Sequence, residues 1–138
     1  MIVLDTNVIS EVFKPTPAAG VLHWLQQQDD AEMFTTAVTR GELMYGLNVM
    51  ADGKRREMLV SGLEGIFAQR FAGRVLPYDE PAADAYAEIL AQRRRIGRPT
   101  GAADAMIAGI VHSHGAALAT RNLRDFEGCG LTLINPWR

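Results

Sequence analysis

The segment MIVLDTNVIS (residues 1–10) carries three apolar residues, Ile2, Val3 and Leu4, that run straight into a carboxylate, Asp5. A short apolar run that ends at polar residues reads as a buried strand. Asp5, Thr6 and Asn7 are all side chains that cap helices, and Asn7 to Lys14 reads as a helix stopped by Pro15 and Pro17. A buried strand feeding a helix opens a β–α unit. The fold then depends on whether that alternation continues.

It does. Ala18 to Gln28 reads as a second helix, with Val21, Leu22, Trp24 and Leu25 as its apolar side, and MFTTA (33–37) as the next strand. Thr39 to Met50 and Lys54 to Phe71 carry apolar residues at helical spacing, the second through Leu59, Leu63, Ile66 and Phe67. Arg74 to Pro77 is a third short strand. Pro81 to Ile96 is a helix with Pro81 in its first turn, and Thr100 to Ser113 is a nearly all-apolar helix with Gly115 suited to its C-cap. Ala116 to Thr120 and Leu131 to Ile134 complete five strands. Strands alternating with one or two helices predict an α/β domain. The expected form is a three-layer α/β/α sandwich around a mainly parallel sheet, with residues 1–138 as a single domain.

The apolar helix raises the same question as the opening segment. From Pro99 to Val111, in PTGAADAMIAGIV, the only charged residue is Asp104. An unpaired buried carboxylate is costly. In an open parallel sheet the functional crevice lies outside the carboxyl ends of the strands. Asp5 falls there, after the first strand. Glu42 falls early in the helix after the second, and Asn122 and Asp125 follow the fourth. Each has an ordinary reading. Thr39 to Glu42 spells a capping box, Asp104 suits a helix N-terminus, and Asp125 suits a solvated or capping position. Taken together, three acids around one crevice favour a shared cation. The candidate ligands are all hard oxygens, which suits Mg²⁺ or Mn²⁺ with waters and phosphate oxygens completing the shell.

The motifs LDTNVIS, TRGELMYG, AADAMIAGI and ATRNLRDF followed by NPW resemble, in this order and across essentially the whole chain, the PIN-domain ribonucleases. They are most similar to the VapC-type toxins of bacterial toxin–antitoxin pairs, including the FitB-like subgroup. The resemblance implies Mg²⁺- or Mn²⁺-dependent hydrolysis of RNA, often tRNA, leaving a 5′-phosphate and a 3′-hydroxyl. It implies a small VapB-like antitoxin that blocks the site and through which operator DNA is bound, and a homodimer. By position, Asp5, Glu42 and Asp104 resemble the first three metal-binding acids. The fourth position is often an aspartate after Thr-Arg; here it is Asn122, with Asp125 three residues on as a substitute or an ordinary surface acid. Thr6, Asn7 and Asn122 would orient carboxylates and water, and Arg121 could hold a substrate phosphate or be solvated.

The whole-chain balance fits these expectations. The chain has 138 residues, 48% of them hydrophobic and 22% charged, with a net charge of −2. That argues against a generic nucleic-acid coat protein, which would be strongly basic. The one cysteine, Cys129, forms no internal disulfide, and MIVLDTNVISEV lacks the pattern of a signal peptide, so the cytoplasm is the expected location, with no membrane span. Two basic runs, Lys54 to Arg56 and Arg93 to Arg98, either meet an RNA backbone or are simply solvated. The apolar faces of the first two helices and of the 54–71 helix belong to the core or to a partner groove. A rival of another class is a non-catalytic PIN-fold partner in a DNA-bound regulatory complex. Aspartyl-phosphate chemistry fits poorly, because the residue two after Asp5 is Asn7 rather than a second acid.

Overall fold

Strand β1 (Ile2–Leu4) lies at the centre of a five-stranded sheet of order β3-β2-β1-β4-β5. The computed structural model describes all residues from Met1 to Arg138. Its other strands are β2 (Met33–Thr36), β3 (Val75–Leu76), β4 (Ala117–Ala119) and β5 (Thr132–Ile134), and every neighbouring pair is parallel. Seven helices connect them: α1 (Thr6–Val12), α2 (Ala19–Gln27), α3 (Ala37–Asn48), α4 (Lys54–Gln69), α5 (Glu80–Arg95), α6 (Ala102–Ser113) and α7 (Leu123–Phe126).

Strand alternation divides the core in two. Side chains two apart share a face, so Val3, Phe34, Leu76, Leu118 and Leu133 face one cluster with Ala82, Ile89, Ile107, Ile110 and Phe126 of α5, α6 and α7. Leu4, Met33, Val75, Ala119 and Ile134 face the other, with Val8, Val21, Leu47, Leu63 and Phe67 of α1 to α4. These are the three layers expected of the chain.

The sequence boundaries hold to within a few residues, with one consequential difference. Helix α3 begins at Ala37, not Thr39, because its N-cap is Thr36, the last residue of β2, whose side chain accepts from the Thr39 N–H at 3.0 Å. The strand turns into the helix with no loop between them. Glu42 therefore lies beyond the first turn, and the Thr39–Glu42 capping box does not form. Helix α7 and a 3-10 turn at Asp30–Glu32 were not anticipated; elements of three or four residues are too short to display a period.

Helices α5 and α6 pack at close range, and Gly109 permits it. A Cβ at Gly109 would lie 2.5 Å from the Ala82 carbonyl oxygen and 2.9 Å from the Tyr86 nitrogen. This contact fixes α6, and with it Asp104, against the rest of the layer.

Candidate functional site

Strand order reverses at the centre of the sheet: β2 and β3 extend to one side of β1, β4 and β5 to the other. Connections leaving in opposite directions open a crevice at the carboxyl ends of the two central strands. Asp5 directly follows β1, and Thr120, Arg121 and Asn122 directly follow β4. A cleft of about 360 Å³ opens there. It is lined by Asp5, Thr6 and Asn7 from the β1–α1 turn, Glu42 from α3, Asp104 from α6, and Arg121 and Asn122 from the β4–α7 turn. Ser10, Glu11, Lys14 and Trp137 complete the rim. A larger cavity of about 790 Å³ lies elsewhere, between α1, α2 and α4, with mainly apolar walls such as Val8, Leu22, Leu25 and Ile66. The chemistry-bearing groups converge on the smaller cleft.

Asp5 is only 4% exposed, so its charge needs local support. Burial pushes its carboxyl above the ordinary range, and hydrogen bonds from Thr120 and Thr6 oppose that rise. The Thr6 N–H donates to Oδ1 at 2.8 Å; the Thr120 hydroxyl donates to Oδ2 at 2.8 Å, with Asn7 Nδ2 at 3.5 Å. The direction of the Thr120 hydroxyl is set by its neighbours. Its oxygen accepts from Asn7 Nδ2 and from the Asn122 N–H, at 3.3 and 3.1 Å, leaving its single proton for Asp5. The Asn7 side-chain oxygen in turn accepts from the Arg121 N–H at 3.3 Å. One network thus ties the ends of β1 and β4 to the Asp5 carboxylate.

Asp104 sits in the first turn of α6, half-buried, and its carboxyl is pushed up to about 6. Burial is the main cause, followed by the negative charges of Asp5, Asp125 and Glu42. Glu42 is exposed on α3 and accepts from the Thr6 hydroxyl at 2.8 Å; Thr6 Oγ1 also lies 3.2 Å from Thr39 Oγ1. None of the three acids forms a salt bridge. Asp125 adds to the negative potential at Asp5 and Asp104 but does not line the cleft, where Asn122 stands instead. No three His, Cys, Asp or Glu side chains are gathered into a ready coordination shell. The donor set still suits a hard cation, since Mg²⁺ characteristically takes one or two carboxylates and keeps its waters.

The PIN domain family profile matches residues 2–128. The chain belongs to the PIN-domain family. It is 45% identical over 137 residues to the VapC ribonuclease Y4jK of Sinorhizobium fredii, covering 99% of this chain and 98% of that one. It is 38% identical to the toxin FitB of Neisseria gonorrhoeae over 99% of both chains. It is also 34% identical to the tRNA(fMet)-specific endonuclease VapC of Shigella flexneri, covering 97% and 96% respectively. The solved structure of FitAB bound to an IR36 DNA fragment matches with a TM-score of 0.95 at 36% identity, over 100% of this chain and 96% of that one. Within the PIN-domain family the chain is therefore VapC/FitB-like.

Some residues of this PIN domain escaped sequence reasoning. In sequence Thr120 is simply the last residue of a strand, and only the pairing of β1 with β4 brings it to Asp5. Glu11 is buried on the rim, where it accepts from Lys14 Nζ and the Ala18 N–H, both at 2.9 Å; the Lys14 contact chiefly holds it below the usual carboxylate range. One residue of each basic run is engaged within the fold, while Lys54, Arg55, Arg94, Arg95 and Arg98 are exposed. Arg93 is 3% exposed, and its guanidinium donates to the carbonyls of Glu127 and of Arg124, the latter at 3.2 Å. Arg56 donates through Nε to the Leu47 carbonyl at 2.9 Å and through Nη2 to Asn48 at 3.2 Å. Both close helix ends and are not free for RNA. The pattern was available for Arg93: Ala82, Ala85, Ile89 and Arg93 form one helical stripe, all buried.

Proposed function

We propose that this PIN-domain protein is a Mg²⁺- or Mn²⁺-dependent endoribonuclease and the toxin of a toxin–antitoxin pair, acting in the cytoplasm. The observation that carries the reading is Asp5: a buried carboxylate held in place by three donors, sharing a cleft with Asp104 and Glu42 and with no basic partner. Such a group is an incomplete half of an interaction with a cation. A divalent cation bound there would supply a lower pKa for a water and positive charge for a phosphoryl oxygen. Asp5 and Asp104 would hold it, with Glu42 reaching it through water.

The chain's own groups do the rest. The Thr6, Asn7 and Thr120 network fixes the Asp5 oxygens, so little reorganisation is needed when the site loads. Glu42, aligned by the Thr6 hydroxyl, accepts a hydrogen bond from the attacking water and orients it in line with the phosphorus. Asn122 presents an amide with no charge of its own at the cleft, which favours one cation over two. The name of the Shigella relative makes tRNA the first substrate to try. A VapB-like antitoxin is the proposed partner, seated in the apolar groove between α1, α2 and α4, with DNA contacted through the antitoxin and the toxin paired as a homodimer.

The test is cleavage of total RNA and tRNA by the purified protein in Mg²⁺, Mn²⁺ or EDTA, beside Asp5→Asn. Cutting that needs the metal and is lost in the variant supports the reading. Asp5→Asn cutting like the wild type sinks the site assignment. Well-folded wild type that cuts neither RNA in either metal favours the non-catalytic partner role, to which the uncharged Asn122 position would then belong.

A further inference from the structure

Ten of the residues that surround the acidic cleft are polar or small, and one wall differs. Trp137 is the only hydrophobic side chain lining it. Its indole is half-buried, packed in part against the core shared by α1 to α4 and in part facing the cleft. The exposed Arg121 guanidinium lies over this indole, 5.2 Å from its centroid. Arg121 forms no salt bridge, although the cleft beside it is rich in carboxylates. Glu11, a carboxylate on the same rim, is already engaged by Lys14 and the Ala18 N–H. The backbones beneath both side chains are pinned: Arg121 N–H to Asn7 Oδ1 at 3.3 Å, and Trp137 N–H to Asn135 Oδ1 at 3.0 Å. The result is a planar cation held over an aromatic ring, 5.2 Å from its centroid, at the lip of the cleft.

Such a surface has a chemical match in RNA. Unpaired bases stack on aromatic rings and on guanidinium planes, while a phosphate needs only charge. We propose that Arg121 and Trp137 form a stacking platform for an unpaired nucleobase of the RNA, adjacent to the phosphate that enters the acidic cleft. This inference rests on the ribonuclease reading and extends it to the substrate. The scissile step falls next to a nucleotide that is single-stranded or turned out of a helix, because a base held in a stacked pair cannot reach the lip. Lysine at 121 keeps the charge and loses the plane; phenylalanine at 137 keeps a ring.

The test uses the full chain with Trp24→Phe, so that Trp137 is the single tryptophan emitter. A ten-nucleotide single-stranded RNA is titrated in Ca²⁺, with gels confirming that it stays intact, and metal-dependent cleavage of the same RNA is followed in parallel. The platform requires Trp137 emission to change on binding. Arg121→Lys and Trp137→Ala should each weaken binding roughly tenfold or more, and Trp137→Phe no more than about threefold. With an abasic version of the RNA, these losses should disappear. Arg121→Lys binding like the parent, or losing as much affinity for the abasic RNA, overturns the platform. If Trp137→Ala misfolds, Arg121→Lys and the Trp137 emission still decide. Cleavage without any stacking signature removes the platform and leaves the nuclease. Neither cleavage nor RNA binding removes both.

Discussion

Replacing Asp104 with asparagine should stabilise the metal-free protein at neutral pH while removing its proposed activity. The Asp104 carboxyl is raised from 3.8 to about 6 by burial and by the charges of Asp5, Asp125 and Glu42. The folded state therefore holds this proton more tightly than the unfolded chain does. Between those two values stability falls as pH rises, and the loss is complete above about pH 7. A shift of roughly two units corresponds to about 3 kcal/mol at full strength. Asp104 is half-buried, and water in the cleft screens roughly half of that, leaving about 1.5 kcal/mol. For a chain of this size each kcal/mol moves the midpoint by about 3–5 °C, so Asp104→Asn should melt about 4–8 °C above the wild type at pH 8. The gap should shrink steadily toward pH 4, close to the unfolded value of 3.8, and would close only below it, where Asp104 is protonated in both states. Saturating Mn²⁺ should then reverse the order, because only the wild type retains both carboxylates for the cation. The assay is thermal unfolding by circular dichroism at pH 4, 6 and 8, with EDTA or Mn²⁺. A variant no more stable than the wild type at pH 8, or a gap indifferent to pH, would refute the electrostatic argument.

Other perturbations test the scaffold around the site. Thr120→Val removes a donor to a charged acceptor and leaves Asn7 Nδ2 and the Asn122 N–H without their oxygen; a loss of about 1.5–3 kcal/mol in urea unfolding, with weakened cleavage, is expected. Gly109→Ala places a methyl group 2.5 Å from a backbone oxygen and forces α5 from α6, costing about 3 kcal/mol by denaturant midpoint and displacing Asp104. Arg93→Met strips the carbonyls of Arg124 and Glu127 of their donor; a loss of about 2–4 kcal/mol is expected, with faster amide hydrogen exchange through α7.

Much of the architecture was legible because its strands are short apolar runs bounded by polar residues and its helices keep a regular stripe. Asp5, Glu42 and Asp104 were legible as outliers, charged groups in positions built for burial or at the ends of elements. The contacts that surround them were not, because they depend on strand order. Nothing local in ATRNLRDF says that β4 lies beside β1, yet that pairing puts Thr120, 115 positions away, against Asp5. Capping failed for a related reason. Thr36 and Thr39 are the same residue type three apart, and only the point at which β2 ends decides which of them caps α3. Arg93 was misread through its neighbours, since a run of arginines suggests a solvated end while its place on the Ala82–Ala85–Ile89 stripe points inward. Asn122 and Asp125 separated because the short α7 turns one toward the cleft and the other away from its lining.

The central claim is that Asp5 and Asp104 together hold a divalent cation. Calorimetric titration of Mn²⁺ into the wild type, Asp5→Asn and Asp104→Asn at pH 7.5 tests it most directly. The wild type should bind saturably, with release of the proton fraction still held by Asp104, and each variant should lose at least tenfold in affinity, about 1.4 kcal/mol or more. Equal Mn²⁺ binding by all three proteins, or none by the wild type, would contradict it.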